Sequence, residues 1–271
     1  MTLKLPDEFE GINGKEAYER ILAEAEKQKY NKEQEEKREQ QDNQIPQDSY
    51  QPEKDTKNFI YVPSLDLYFT NQRILTNHNW SKCHEALNNS EIYNTKMKMP
   101  TIPEFWEFLR YLNNNKENNE KYKEVFNDIT EVKNPLGGEW LNADFKYNEN
   151  NGFSVNYHAF DSQGEIIQKS ESLDSDTLLK SKTPGISLEK ILYRKDQLTK
   201  QGLPNKNTEP GNLYYFTLMK DNNSDARFGT YPFGAQLVCN RDPSGSNPSL
   251  GVFGVAQYLN DKAHYRGLNV I

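Results

Sequence analysis

Residues 225–256 read DARFGTYPFGAQLVCNRDPSGSNPSLGVFGVA, a run in which turn-forming residues recur every few positions and the side chains between them share no common type. Gly229, Gly234, Gly251 and Gly254 punctuate it, with Pro232, Pro243 and Pro248 between them. Glycine supplies φ angles that other residues reach only with strain, and proline fixes its own, so this density dictates tight turns and short strands. A backbone held this firmly leaves the intervening side chains free to be chosen for what they touch. The pattern implies a display surface, with Gly229, Gly234, Leu250, Gly251, Val252, Gly254 and Val255 as framework and contact residues between them. Tyr231 and Phe233 flank Pro232 where no periodicity demands burial, and aromatic loop residues give large contact area at small entropic cost. Packing on the neighbouring strand is the alternative for both.

At 271 residues the chain is long enough for one large domain with a sizeable core, plus a tail. Only 34% of its residues are hydrophobic, yet 16 Tyr, 13 Phe and 3 Trp supply much apolar area, so the polarity must be concentrated somewhere. The net charge of −7 excludes a nonspecific binder of nucleic-acid backbone, which needs a basic face to release counterions. Two cysteines, Cys83 and Cys239, support neither a disulfide scaffold nor a structural zinc site; each reads as a small buried hydrophobe, a single disulfide being the alternative. MTLKLPDEFEGINGK lacks the basic and apolar regions of a secretory signal, and no stretch approaches the roughly 18 apolar residues of a membrane span. The expectation is a soluble protein, cytoplasmic or associated with a virion.

The polarity sits at the start of the chain. Residues 15–30 place Ala17, Ile21, Leu22 and Ala25 on one side of a helix, and 31–57 are almost wholly Glu, Gln, Lys, Asn and Asp, broken by Pro46 and Pro52. Residues 1–57 therefore read as a charged helix and linker, the helix serving self-association or virion attachment, and 58–271 as the compact domain. In that domain FIYVPSLDLYFT (59–70) reads as a strand with a bulge or edge position at Pro63. NWSKCHEAL (79–87) reads as a helix capped by Asn79. MPTIPEFWEFLRYLNN (99–114) reads as a second helix, capped by Thr101, with Phe105, Phe108, Leu109 and Leu112 facing a core. Residues 137–168 predict strands joined at Asn150, Asn151 and Gly152 and again at 162–164. Residues 170–212 read as a polar insertion holding one short helix from Ser187, and 212–219 and 250–258 as strands. Without βαβ alternation the fold class is α+β: two helices packed on mostly antiparallel short strands.

No catalytic motif emerges. The four histidines lack metal spacing, and Cys83 and His84, adjacent on a helix, point apart. Glu104, Glu107, Glu139 and Asp144 read as structural carboxylates. In the loop NRDPSGSNPS (240–249), Asp242 with Ser244, Ser246 and Asn247 offers too few carboxylates for calcium and reads as Asx and Ser turns. No metal and no cofactor is called for.

The order FIYVPSLDLYF, then Trp80 to Leu87, MPTIPEFWEFL, GGEWLNADF and ARFGTYPFGA with DPSGSNPSLGVFGV resembles the C-type lectin fold of variable proteins diversified by retroelements. It is also similar, more distantly, to the formylglycine-generating and sulfatase-modifying branch of that fold. The resemblance covers about residues 58–256 and implies a non-enzymatic ligand-binding protein whose scaffold is constant while positions near the C-terminus are mutated, many at adenines of Asn codons. Carried onto this chain, it implies contact by Thr230, Tyr231, Phe233, Val238, Asn240, Arg241, Gly245, Asn247, Pro248, Ser249 and Phe253 with a macromolecular ligand, a protein. Gln236 is a poorer candidate, since Gln cannot arise from an Asn codon by changing its adenines alone. The paired C-terminal cysteines of the enzymatic branch are missing. Two rival readings stay open: an oxidative enzyme using an exposed Cys239, and a calcium-dependent carbohydrate-binding lectin.

Overall fold

The computed structural model of the chain describes residues 8–9, 12–13, 51–89, 92–132, 137–246 and 248–257. Two compact units divide it, Met1–Pro46 and Gln47–Ile271. In the first, strands β1 (Glu8–Phe9) and β2 (Ile12–Asn13) pair antiparallel. The helix expected at 15–30 lies outside the described residues. Every other described element belongs to the second unit.

The segment 59–70, expected as one irregular strand, is a hairpin. β3 (Phe59–Val62) and β4 (Leu67–Thr70) pair antiparallel in the register Phe59↔Thr70 to Val62↔Leu67. Pro63 cannot donate to a ladder and Asp66 adopts a φ of 52°, so the chain reverses there instead of bulging.

Helix α1 (Trp80–Asn89) begins where the Asn79 side chain accepts from the Lys82 N–H. Helix α2 (Ile102–Asn115) carries a full capping box: Thr101 accepts from the Glu104 N–H and the Glu104 carboxylate accepts from the Thr101 N–H. Phe105, Phe108, Leu109 and Leu112 are buried, as the stripe predicts. Four helices occur among the described residues, one more than the three expected in the domain. The short α4 (Leu188–Tyr193) is the one read from Ser187, whose hydroxyl accepts from the Lys190 N–H. The additional one, α3 (Glu120–Thr130), buries Tyr122, Val125, Phe126 and Ile129 at the spacing of a single helical stripe.

The large sheet runs β7 (Ile166–Ser172), β6 (Gly152–Phe160), β5 (Gly138–Asn148), β10 (Ser224–Tyr231), β11 (Gly234–Arg241), β9 (Leu213–Phe216), β8 (Lys182–Ile186), with β12 (Leu250–Gly251) joined to β5. Pairing is antiparallel except β11 with β9 and β12 with β5. Two of its strands, of 11 and 9 residues, are longer than the expected short strands. A smaller sheet sets β13 (Val255–Ala256) beside β4 and β3. Mixed α+β with mostly antiparallel strands is therefore the class.

Alternation along the strands splits the core in two. Leu141, Ala143 and Phe145 of β5, Ala226 and Phe228 of β10, and Leu237 and Cys239 of β11 share one face. Phe105 and Trp106 of α2 close on it, with ring centroids 5.2 and 5.8 Å from Phe228. On the opposite face Trp140 joins Cys83, Leu87, Met97, Met99, Leu250 and Val252. The three tryptophans are bonded through their indole N–H groups to backbone oxygens distant in sequence: Trp80 to Leu141 at 2.9 Å, Trp106 to Gly202 at 2.8 Å and Trp140 to His78 at 3.0 Å. The polar insertion at 170–212 supplies edge strand β8 and α4, and its Ile186, Leu188, Ile191, Leu192 and Leu203 are core residues.

Candidate functional site: one face of the C-terminal hairpin

β10 and β11 form a hairpin closed by two residues, Pro232 and Phe233, between the last pair Tyr231↔Gly234. Gly234 has a φ of +129°, a conformation that an L side chain resists, so this glycine belongs to the turn. The hairpin tip leaves Phe233 69% exposed, its ring 6.2 Å from that of Tyr214. Period-two alternation puts Asp225, Arg227, Gly229 and Tyr231 on the face turned away from the Phe228 core. Opposite them across the ladder stand Arg241, Val238, Gln236 and Gly234, and β9 continues the same face with Tyr214 and Phe216.

The expected framework residues are interior: Leu250 and Val252 are buried, as are Val255, Gly229, Gly251 and Gly254, and Gly234 is half-buried. Among the expected contact residues, Phe233 and Pro248 are exposed, and Tyr231, Asn240, Arg241, Gly245 and Ser249 are half-buried. Three leave the set. Phe253 is fully buried, 5.7 Å from the Phe108 ring; Thr230 points to the core side of β10; Val238 lies on the face turned away from Phe228 but is covered. In each case strand alternation or overlying chain puts the side chain out of a ligand's reach. Asn247 lies outside the described residues.

The remaining residues fall at the two ends of the hairpin. Seven residue steps separate Gly234 from Arg241, roughly 23 Å at the rise of an extended strand. Tyr231 and Phe233 occupy one end, Asn240, Arg241 and Gly245 the other. The 242–249 loop returns toward the tip, since the Ser249 carbonyl accepts from the Gly138 N–H at 3.3 Å and Gly138 pairs with Gly229. Within that loop Asp242 accepts from the Ser244 N–H at 2.9 Å and its hydroxyl at 2.8 Å, and these bonds hold its carboxyl below the usual range.

Arg227, buried on the same strand as Tyr231, was not singled out by sequence. Its guanidinium lies 5.2 Å from the centre of the Tyr231 ring and donates to the Tyr231 hydroxyl. The signal for it was the i, i+2 alternation Asp225, Arg227, Gly229, Tyr231 around a Phe228 that faces the core. Beside it, burial and then the neighbouring Asp144 push the Asp225 carboxyl up to about 8.

The carboxylates read from the sequence are paired with cations. Glu139, on the core face of β5, meets Arg73, which also holds Asp128; Glu104 meets the buried Lys98 at 2.5 Å; Glu107 meets Arg110 at 2.7 Å; Asp144 meets Lys146 at 2.7 Å. Cys83 and Cys239 are free and buried, burial raising the Cys83 thiol to about 12 and the Cys239 thiol further. His84 lies edge-on to Trp80 and tilted against His158, with centroids 4.1 and 4.5 Å away, and burial lowers it to about 3. A cavity of about 130 Å³ beside the start of α2 is lined by Asn142 and Gln201, whose amides are spent on Met99, His158, Ser172 and Asp174. No group of three or more metal-ligating side chains occurs among the described residues. No helix among them is long and apolar enough to cross a membrane. No family model, curated protein or solved structure matches this chain.

Proposed function

We propose that this is a non-enzymatic binding protein of C-type lectin-like architecture that recognises a protein ligand through the exposed tip of the β10–β11 hairpin and the 240–249 loop. The observation that carries the reading is the partition within 229–255. Leu250, Val252 and Val255 are buried with Gly229, Gly251 and Gly254, while Tyr231, Phe233, Asn240, Arg241 and Pro248 reach solvent from a backbone that the former hold. Binding energy at such a face comes from a few aromatic and Arg anchors, and side chains that touch little of the core can be exchanged without cost to the fold. Burial of Cys239 speaks against the oxidative reading, because a reactive thiol needs access and a lowered pKa.

The test is a library randomised at Phe233, Asn240, Arg241 and Pro248, with Tyr231 kept because its hydroxyl is the partner of the buried Arg227 guanidinium. Its members should keep cooperative unfolding within a few degrees of the parent, roughly the effect of several surface changes of 0.5 kcal/mol or less each. Selection against a panel of purified proteins should yield binders. A library that is mostly unfolded sinks the reading. Retroelement diversification has its own check: a reverse transcriptase gene and a near-copy of the DNA for 225–256, differing mainly at adenines, should lie beside the coding sequence.

A further inference from the structure

The large sheet ends at β7 on one side and β8 on the other, and each has an edge that no strand covers among the described residues. β8 is guarded: it has five residues, one of them Pro184, and its register with β9 is broken between Lys182 and Ile186. β7 is not. Its seven residues, IIQKSES, hold no proline or glycine, pair with β6 without a break in register and are mostly exposed, Ile167 at 40%.

Which backbone groups of β7 face outward follows from its ladder. The Asp161 N–H donates to the Glu165 carbonyl at 2.8 Å at one end, and the Leu173 N–H to the Phe153 carbonyl at 3.0 Å at the other. Both pairs continue the register that sets Phe160 against Ile166 and Ser154 against Ser172, and bonded pairs recur at every second residue of an antiparallel ladder. Ile167, Lys169 and Glu171 therefore spend their N–H and C=O groups on β6, while those of Ile166, Gln168, Ser170 and Ser172 point out of the sheet. The Ser172 carbonyl is taken, accepting from the amide of the buried Gln201 at 3.1 Å. Six groups, on Ile166, Gln168 and Ser170, meet no hydrogen-bond partner among the described residues.

A second copy of this edge, run antiparallel about a two-fold axis at Gln168, satisfies all six at once: Gln168 meets its counterpart, and Ile166 meets Ser170 of the copy, twice. Other axes fail. One at Lys169 or Ser170 sets Ile166 or Gln168 against the spent Ser172, and one at Ile167 sets Ser170 against Gly164, in the turn before β7. The side chains agree with the Gln168 axis, since Ile167 falls beside Lys169 of the copy, whose aliphatic stem covers it. Glu165 falls opposite Glu171, but each is already paired with a lysine of its own chain, Lys96 and Lys200, so two ion pairs meet rather than two bare carboxylates. We propose that the chain forms a two-fold dimer by antiparallel pairing of β7 with β7 of a second copy, centred on Gln168. β6 and β5 separate this edge from β10, so the pairing is independent of what the hairpin binds.

Sedimentation equilibrium of the full chain tests this, with amide hydrogen exchange followed over the same concentrations. The weight-average mass should rise from the 31.5 kDa of one chain toward twice that value. The Ile166, Gln168 and Ser170 amides should gain protection in step, while those of Ile167, Lys169 and Glu171 are protected throughout. Gln168→Pro removes an N–H that β6 does not use, so it should keep the melting temperature and weaken association by about tenfold or more, two ladder bonds being lost. Ile167→Lys, set beside Lys169 of the copy, should also weaken it, whereas Ile167→Glu should leave association as strong as in the parent or stronger. A monomer at every concentration overturns the proposal and leaves the edge to an extended segment of another protein. A dimer whose three outward amides exchange freely, or one that Gln168→Pro leaves intact, overturns it by placing the contact elsewhere in the chain. Equal weakening by Ile167→Lys and Ile167→Glu overturns the register.

Discussion

Arg73 lies between Asp128 and Glu139 and over the Phe253 ring, 5.6 Å from its centre. Glu139 is fully buried, so its charge is bearable only with that guanidinium in place. Arg73→Met should cost about 3–5 kcal/mol in urea unfolding, the usual result of stranding a buried charge; a loss under 1 kcal/mol would show the carboxylate solvated or neutral. Asp225 supplies the opposite case. Its folded pKa of about 8 lies above the ordinary 3.8, so between those limits the native state holds a proton that the unfolded chain has lost. Stability must then fall as pH rises from about 4 to about 8 and flatten above. Asp225→Asn, which keeps the shape and does not titrate, should flatten the slope in that window; the difference between the two melting profiles isolates this carboxyl. Identical slopes would refute it.

Among the elements, β8 depends on one residue. A Cβ at Gly185 would fall 1.5 Å from the Leu213 carbonyl oxygen, so Gly185→Ala cannot keep the β8–β9 approach and should lower the melting temperature by well over 5 °C. A shift below 2 °C would mean that the edge strand adapts. α2 was legible because every local signal agreed: Thr101, Pro103, Glu104 and the Phe105 stripe. α3 was not, although Asn119 caps it and Tyr122, Val125, Phe126 and Ile129 mark its face. Seven polar or charged residues in eleven dilute that stripe, and its burial is supplied by α2 and β10, which no local reading contains. The same limit hid the burial of Arg227. The hairpin at 59–70 was blurred because Pro63 fits an edge or bulge as well as a reversal.

At the scale of the molecule, the insertion that sequence set apart as polar is joined to the main core: Ile186, Ile191 and Leu203 are among its buried members. Its polar composition belongs to the residues between, and a reading by average polarity misses a few well-spaced apolar side chains. The turn of the β10–β11 hairpin was better served, because turns are written locally while burial is decided by partners far along the chain. That is why Phe233 and Phe253, alike in sequence, have opposite fates.

The bonding of the indoles gives the protein an optical consequence. Trp106 and Trp140 are fully buried, Trp80 is half-buried, and all three are tied to carbonyls 61–96 positions away. Their emission reports whether α1, α2 and the large sheet are assembled. The hairpin tip carries no tryptophan, so a ligand docking there should leave the native spectrum nearly unchanged, while unfolding shifts it to the red. Intrinsic fluorescence is thus a gauge of integrity that is largely blind to occupancy of the tip, whereas a ligand on the 240–249 loop, whose Pro243 carbonyl accepts from the Trp80 backbone N–H at 3.2 Å, would be felt by Trp80.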